Sequence, residues 1–340
     1  MPDGQRITSL DVARRAGVSQ SAVSRVFSGA SASANTIAKV RAAADELGYR
    51  PNSLARAMIT GKSRMIGLLV AYLDNQFYPV ALERLSNALQ AQGYHVLIFM
   101  ISNSEDEIDE TVKDLMDYQV DGIITASVSM SSELTERCAG AGIPVVMFNR
   151  GQDGAALSSV TSDNVAGGRQ VADLLVAGKH RRIAHIAGWS GSSTGRDRAL
   201  GFRYGLSAAG YELVAEIDGA YCRETAAAAT RALMARAKPP DAIFVGNDHM
   251  AFAVVDTLRH ELGLSVPVDV SVVGYDDVPQ ASWGAYQLTT VRQPVNRMVD
   301  ATVETLLGEI RDHGRATQKI KIAGPLVLRE TARVPEGWTQ

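Results

Sequence analysis

A chain of 340 residues is too long for one compact core and calls for two or three folding units. Hydrophobic residues make up 46% of it, ordinary for a protein with substantial cores, yet no stretch approaches the roughly 18 uninterrupted apolar residues of a membrane span. The net charge of −3 conceals a split: residues 1–64 hold ten basic and four acidic side chains, net +6, and the remainder holds 24 and 33, net −9. A basic head on an acidic body fits a head that meets phosphate, although a solvated basic face would give the same count. The N-terminus MPDGQRITSL carries charges where a signal peptide needs an apolar block, so a cytoplasmic address is expected. Cys138 and Cys222 lie far apart without metal-ligand spacing and read as free thiols. The six histidines show neither HxH nor HExxH spacing, so neither a metal nor a cofactor is expected.

Thr8-Ser9-Leu10-Asp11 reads as a helix start, with Thr8 capping and Asp11 in the reciprocal acidic position. This first helix runs to about Ala16. Gly17 supplies a left-handed turn, and Ser19 caps a second helix from Gln20 to about Phe27. Leu10, Val12, Ala13, Val18, Val23 and Val26 form the apolar set expected to lock the two helices at a steep angle. The pattern is a helix-turn-helix whose second helix exposes Gln20, Ser21, Ala22 and Arg25. A third helix, capped near Ser33 or Asn35, carries Ile37, Val40, Ala44 and Leu47 and stops at Gly48. After Pro51, Asn52 can cap a helix of about two turns that Gly61 ends. A helix this short is marginal alone and needs a partner to form.

From Met65 onward, short β-branched runs alternate with amphipathic stretches. Strands are expected at 65–71, 95–101, 122–126, 144–148, 182–187, 242–245 and 271–275, with helices between them at 80–92, 108–118, 168–177 and 250–262. Such a βα rhythm means mostly parallel sheets covered by helices. There are too many units for one small sheet, and Asp163-Asn164 marks a lobe change. An enzyme on this body finds little support. Gly188, Gly191 and Gly195 follow a strand, but their spacing is neither GxGxxG nor a phosphate loop, and no nucleophile elbow is present. The basic head and the missing signal peptide argue against a plain sugar-binding protein.

The segments TSLDVARRAGVSQSAVSRVFSG (8–29) and LGYRPNSLARAMITGKSRMIGLL (47–69) resemble the start of lactose-repressor and galactose-repressor (LacI/GalR) family regulators, and the resemblance continues to about Thr331. It implies an α/β protein with an N-terminal three-helix helix-turn-helix head and a hinge helix. These join a two-lobed periplasmic-binding-protein-like domain of two parallel, doubly wound sheets. The expected limits are 1–50 for the head, 51–63 for the hinge, 64–163 plus 293–322 for the N-lobe and 164–292 plus 323–340 for the C-lobe. The segment 288–294 (LTTVRQP) then makes a return crossing into the first lobe. By the same resemblance the second helix lies in the major groove, with Gln20 and Ser21 reading bases and Arg25 on base or phosphate. Ser19 and Thr36 contact phosphates through hydroxyls and helix N-termini. Hinge helices of a dimer pair in the minor groove and wedge an apolar side chain between base pairs, here Met58 where Leu is usual. Thr8, Ser33, Asn52 and Ala55 complete the DNA-facing set, while Ala22 stands where a Thr is usual.

Ligands of open α/β sheets sit at the carboxyl ends of strands. After the first strand come Ala71, Asn75, Phe77 and Tyr78, and after the fourth Asn149 and Arg150. Further on are Ser192, Thr194 and Arg198, then Tyr221, Asn247 and Asp276. Aromatic faces, planar amides, guanidinium and carboxylate groups suit a sugar. The resemblance makes Arg198 and Asp276 the strongest ligand contacts, with Asn247 next. Some readings stay open: Phe77 and Tyr78 also fit a core or dimer face, Asp163 and Asp277 fit turn capping or binding, and Arg196 fits a surface charge. Asp248 reads as the cap of a helix beginning at His249. Purine-binding family members use the same positions, so a purine or another polar metabolite acting as corepressor remains the alternative. The lack of a clustered Lys/Arg pocket in the sequence argues for a neutral mono- or disaccharide over a phosphate. The partners implied are double-stranded operator DNA, a small-molecule effector and a second copy of the chain, with no membrane. RETARVPEGWTQ at the C-terminus has no heptads, which favours a dimer over a tetramer.

Overall fold

The computed structural model describes residues 7–28, 31–50, 62–71, 73–101, 105–128, 130–152 and 156–338, and it divides into two compact units, Met1–Arg64 and Met65–Gln340. In the first, α1 (Ser9–Ala16), α2 (Gln20–Ser28) and α3 (Ala34–Leu47) each begin at a hydroxyl. The N–H and hydroxyl of Thr8 both donate to Asp11 Oδ2, at 3.0 and 2.7 Å. These bonds hold the Asp11 carboxyl below its ordinary range. Ser19 Oγ accepts from the Ala22 N–H, and Ser33 Oγ from that of Thr36, each at 3.2 Å. Gly17, at φ +66°, makes the left-handed turn between α1 and α2 that a side chain would disfavour.

Val12, Ala13, Val23, Val40, Ala43 and Ala44 form the core of the head, with Val18, Val26, Phe27 and Tyr49 packed around it. Leu10 departs from the expected apolar set, for it is 43% exposed. At 3.6 residues per turn it lies about 110° from the centre of the stripe formed by Val12, Ala13 and Ala16. The expected hinge contacts Asn52, Ala55 and Met58 lie outside the described residues.

The second unit carries two six-stranded sheets. Its elements in order are β1 (Met65–Val70), α4 (Phe77–Ala91), β2 (His95–Met100), α5 (Glu105–Asp117), β3 (Gly122–Ala126), α6 (Ser132–Gly140), β4 (Val145–Phe148), β5 (Ser158–Ser162) and α7 (Asn164–Ala177). There follow β6 (Ile183–Ala187), α8 (Ser193–Ala208), β7 (Ala215–Asp218), α9 (Arg223–Met234), β8 (Ala242–Val245), α10 (Asp248–Asp256) and β9 (Ser271–Asp276). The last are β10 (Thr289–Arg292), α11 (Val295–Arg311), β11 (Lys319–Ile322) and β12 (Leu326–Val327). The first sheet runs β11-β5-β4-β3-β1-β2 and the second β12-β10-β9-β8-β6-β7. Every pairing is parallel except that of β12 with β10. The chain therefore passes between sheets after β5, after β10 and after β11.

Helices cover both faces of these sheets, so β3, β4, β8 and β9 are buried along their whole length. Two glycines bring α7 and α8 into backbone contact: a Cβ on Gly168 would meet the Arg198 carbonyl, and one on Gly201 that of Val165. That approach fixes where Arg198 stands. Among the described residues no helix is long and apolar enough to cross a membrane.

Candidate functional site

On the head, Thr8, Ser19, Gln20, Ser21, Arg25 and Ser33 are exposed and Thr36 is half-buried. Their own bonds are local. Gln20 Nε2 donates to Ser9 Oγ at 3.0 Å, the hydroxyls of Ser19 and Ser21 lie 2.9 Å apart, and Arg25 Nε reaches the Ser21 carbonyl at 3.4 Å. This leaves one short polar helix face with a single guanidinium, a surface that fits a nucleic-acid groove.

In the second unit the strand ends of both sheets meet at a cavity of about 610 Å³. The backbone around it turns left-handed at non-glycine positions: Ser127 (φ 65°) after β3, Asn149 (φ 60°) after β4, Tyr221 (φ 57°) after β7 and Asp276 (φ 130°) closing β9. Each costs on the order of 1–3 kcal/mol and persists where the surroundings over-determine it. The effect is to turn these side chains out of the sheet registers at the cavity wall.

At the centre, Arg198 Nη2 lies 3.3 Å from Asp276 Oδ1, and both groups are almost wholly buried. Arg198 also donates to Asn164 Oδ1 at 2.9 Å and to the Gly246 carbonyl at 2.6 Å, with its guanidinium 3.8 Å from the centroid of the Tyr275 ring. Asp276 accepts from Gln293 Nε2 at 2.7 Å and from Asn75 Nδ2 at 3.2 Å, and the latter bond links the two lobes. Burial pushes the Asp276 carboxyl up, while Arg198, Asn75 and Gln293 oppose the shift. Burial pulls the Arg198 guanidinium down, and Asp276 together with Tyr221, Tyr275 and Tyr78 more than reverses this. Behind the pair, burial and the charge of Asp276 push the Asp248 carboxyl up to about 7.

Across the cleft, Tyr78 hydrogen-bonds Ser127 and accepts from Asn149 Nδ2 at 3.1 Å. Burial raises its phenol and the charge of Arg150 opposes that rise. On the facing wall, the Tyr221 and Thr194 hydroxyls lie 3.1 Å apart. Asn247 Oδ1 accepts from the Met250 N–H at 3.0 Å, so its carboxamide both caps α10 and lines the cavity.

A family model described as bacterial regulatory proteins of the lacI family matches residues 8–52, and a periplasmic binding protein-like domain matches 156–332. The HTH-type transcriptional repressor PurR of Vibrio vulnificus (strain CMCP6) is 30% identical over 330 residues, spanning 96% of this chain and 98% of its own. The chain belongs to the lacI family of bacterial regulatory proteins. Its fold superposes on the lac repressor dimer bound to operator and the anti-inducer ONPF with a TM-score of 0.87, at 28% identity over 96% of this chain and 99% of that one. The transcriptional regulator CelR in complex with cellobiose gives 0.72 at 32% identity, over 96% and 100%. Such proteins regulate transcription and are not enzymes.

This lacI-family cleft gathers Asn75, Tyr78, Asn149, Thr194, Arg198, Tyr221, Asn247 and Asp276 of the expected contact set. Ala71, Phe77 and Ser192 do not line it. Phe77 is a core residue stacked 6.2 Å from Phe148. Ser192 is buried as the cap of α8, accepting from the Gly195 N–H at 3.0 Å and donating to the Trp189 carbonyl at 2.8 Å. Ala71 follows β1 directly and packs on the first lobe's interior.

The carboxylates with open readings find structural work. Asp163 caps α7 through the Ala166 N–H at 3.0 Å, and Asp277 pairs with Arg292 and Arg329, each at 2.6 Å. Asp248 is not a cap, since Asn247 holds that position. Its carboxylate instead receives the Thr290 hydroxyl at 2.6 Å and the Val278 N–H at 3.0 Å. Arg196 lies at the surface, donating to the Gly191 carbonyl at 3.2 Å. Missing from the expected contacts are Ser127, Arg223, Glu224 and His249, as well as Arg150, for which the sequence indicates a strand end and no contact. Arg150, Arg198 and Arg223 are far apart in sequence, so their convergence on one cavity corrects the expectation that no cationic cluster exists.

Proposed function

We propose that this chain is an effector-gated repressor that binds a pseudo-palindromic operator as a homodimer, with a sugar of mono- or disaccharide size as effector. Residues 1–50 form the DNA-binding head and 51–63 the hinge, followed by an N-lobe of 64–163 plus 293–322 and a C-lobe of 164–292 plus 323–340. Gln20 and Ser21 read bases, Arg25 takes a base or phosphate, and Thr8, Ser19, Ser33 and Thr36 position the head on the backbone. Asn52, Ala55 and Met58 act in the minor groove. Ligand in the cleft changes the posture of the lobes, and the operator affinity shifts only as far as the ligand prefers one posture.

The observation that carries the sugar reading is the chemistry of the cavity wall. Amides, hydroxyls, guanidiniums and carboxylates converge on it, and its aromatic members are the two tyrosines, Tyr78 and Tyr221. Phe77 and Phe148, whose flat apolar faces would suit a purine, stack on each other inside the core instead of lining the cavity. The volume falls within the ~300–1,000 Å³ of ordinary ligand pockets. The test is operator binding by fluorescence anisotropy against mono- and disaccharides, purines and sugar phosphates. A sugar should move operator affinity at least tenfold. A response to purines alone would overturn the sugar reading, and no operator protection with any duplex tried would overturn the regulator.

A further inference from the structure

Among the described residues, Arg150 is the guanidinium of the cleft whose charge no carboxylate meets. It is 3% exposed and lines the cavity, and its Nε is buried without a hydrogen-bond partner. Its recorded contact is the face of Trp189, 5.6 Å from the ring centroid. The other guanidiniums of the wall are answered: Arg198 by Asp276, and Arg223 by Asp256 at 3.3 Å. A buried guanidinium without an anion is unfavourable, and its planar fork matches a carboxylate bidentately. Next to it, Asn149 Oδ1 is also buried without a partner, while its Nδ2 is committed to Tyr78. Two adjacent residues at the end of β4 thus offer the cavity an unmatched cationic donor and an unmatched acceptor.

Resting on the sugar reading above, we infer that the effector is a sugar acid, its carboxylate held by Arg150 and a neighbouring hydroxyl donating to Asn149 Oδ1. A neutral sugar satisfies Asn149 but leaves the guanidinium uncompensated. A phosphate dianion calls for a second free cation, and Arg198 and Arg223 are already paired. The expectation of a neutral sugar is revised accordingly.

Titration calorimetry on the full chain at fixed ionic strength decides the matter, with D-gluconate, D-galacturonate, D-glucose, D-galactose and D-glucose 6-phosphate as probes and the nucleobases adenine and guanine beside them. At least one acid should bind about tenfold or more tightly than its neutral parent, the gain typical of a charge-assisted pair. Arg150→Gln should bring that ratio close to one, and Arg150→Lys should retain part of it. If Arg150→Gln fails to fold, the ratio in the unmodified protein and in Arg150→Lys decides. Equal affinity for acids and neutral parents, or a preference that survives Arg150→Gln, overturns the inference and leaves the sugar reading standing. Tighter binding of the phosphate than of both acids overturns the carboxylate. No binding by either acid also overturns it, and binding of nucleobases with none of the five probes removes the sugar reading as well.

Discussion

On α2 of the head, Gln20, Ser21 and Arg25 are exposed, and their bonds reach at most eleven residues along the chain. In the cleft, Asn75 meets Asp276 across 201 residues, Asn149 meets Tyr78 across 71 and Arg198 meets the Gly246 carbonyl across 48, with most of these groups buried. The two surfaces therefore fail differently when altered. A group on the head loses what it would touch outside the protein. A group in the cleft takes bonds from several strands with it.

The sharpest contrast is between Arg198 and Arg25. Arg198→Ala leaves the Asp276 carboxylate buried beside Asp248 without its cation. Breaking a buried pair this way costs roughly 3–5 kcal/mol, read as a lower denaturant midpoint. A loss below about 1 kcal/mol would show that the lobes do not depend on the pair. Asp276→Asn is gentler, since an amide oxygen still accepts from Gln293 or Asn75. It should keep operator binding while blunting the ligand response, and an unchanged response would remove Asp276 from the site. Arg25→Ala should lower operator affinity about 10- to 100-fold, the value of one base or phosphate contact, with no shift in melting. Unchanged affinity at physiological salt would take Arg25 out of the interface.

Acid separates the two units as well. All six histidines lie beyond residue 64. His180 is buried, with Arg333 Nη2 2.8 Å and Asp241 Oδ1 3.7 Å from its Nδ1. Burial, with the Arg333 charge, pulls its pKa from 6.5 down to about 4. The unfolded chain then binds the extra proton first. Its contribution to stability is complete above about 6.5 and is lost as pH falls toward 4, on the order of 2–3 kcal/mol. Asp248 works in the opposite sense, its raised carboxyl weakening the fold as pH climbs from 3.8 toward 7. The informative measurement is therefore the difference between the unmodified chain and His180→Asn. Melting of the second unit at pH 7 and pH 5 should be less pH-sensitive in the variant, and equal sensitivity would rule His180 out.

The same contrast governs what could be read from the chain alone. The head is written in short-range signals: Thr8 with Asp11, Gly17, Ser19 and Ser33 each lie at the turn or cap they control, and α1 to α3 follow from them. The central strands β1, β3, β4, β8 and β9 show as apolar runs because helices cover both faces. By contrast β5, SSVTS, is buried throughout yet four of its five residues carry hydroxyls, so no apolar run marks it. The edge strands β7, β11 and β12 are too short or too mixed to show. Eight cleft residues follow from the rule that ligands sit at strand ends and from the family pattern. Arg223, Glu224 and His249 do not, since they sit at the starts of α9 and α10, where nothing local distinguishes them from surface polar residues. Ser192 shows the converse ambiguity: a serine after a strand is equally a ligand contact or a helix cap.

Ser192 and Ser33 give the smallest and most direct form of the comparison, because both cap a helix and only one does so in the cleft. Ser33→Ala removes the bond to the Thr36 N–H and should cost about 1 kcal/mol, the ordinary value of a cap. It should also weaken operator binding if α3 presents its N-terminus to phosphate. Ser192→Ala removes a comparable bond to Gly195, but it also takes from the Trp189 carbonyl one of its two donors, leaving the Ser192 N–H at 3.0 Å, and loosens Tyr221 and Thr194, whose oxygens lie 3.4 Å from Ser192 Oγ. Its effect should therefore appear twice, as a loss of roughly 1–3 kcal/mol in stability and as weaker ligand binding, although the residue does not line the cavity. Should Ser192→Ala match Ser33→Ala in stability and leave ligand affinity untouched, the cleft would be no more cross-linked than the head, and the difference between the two surfaces would be one of exposure alone.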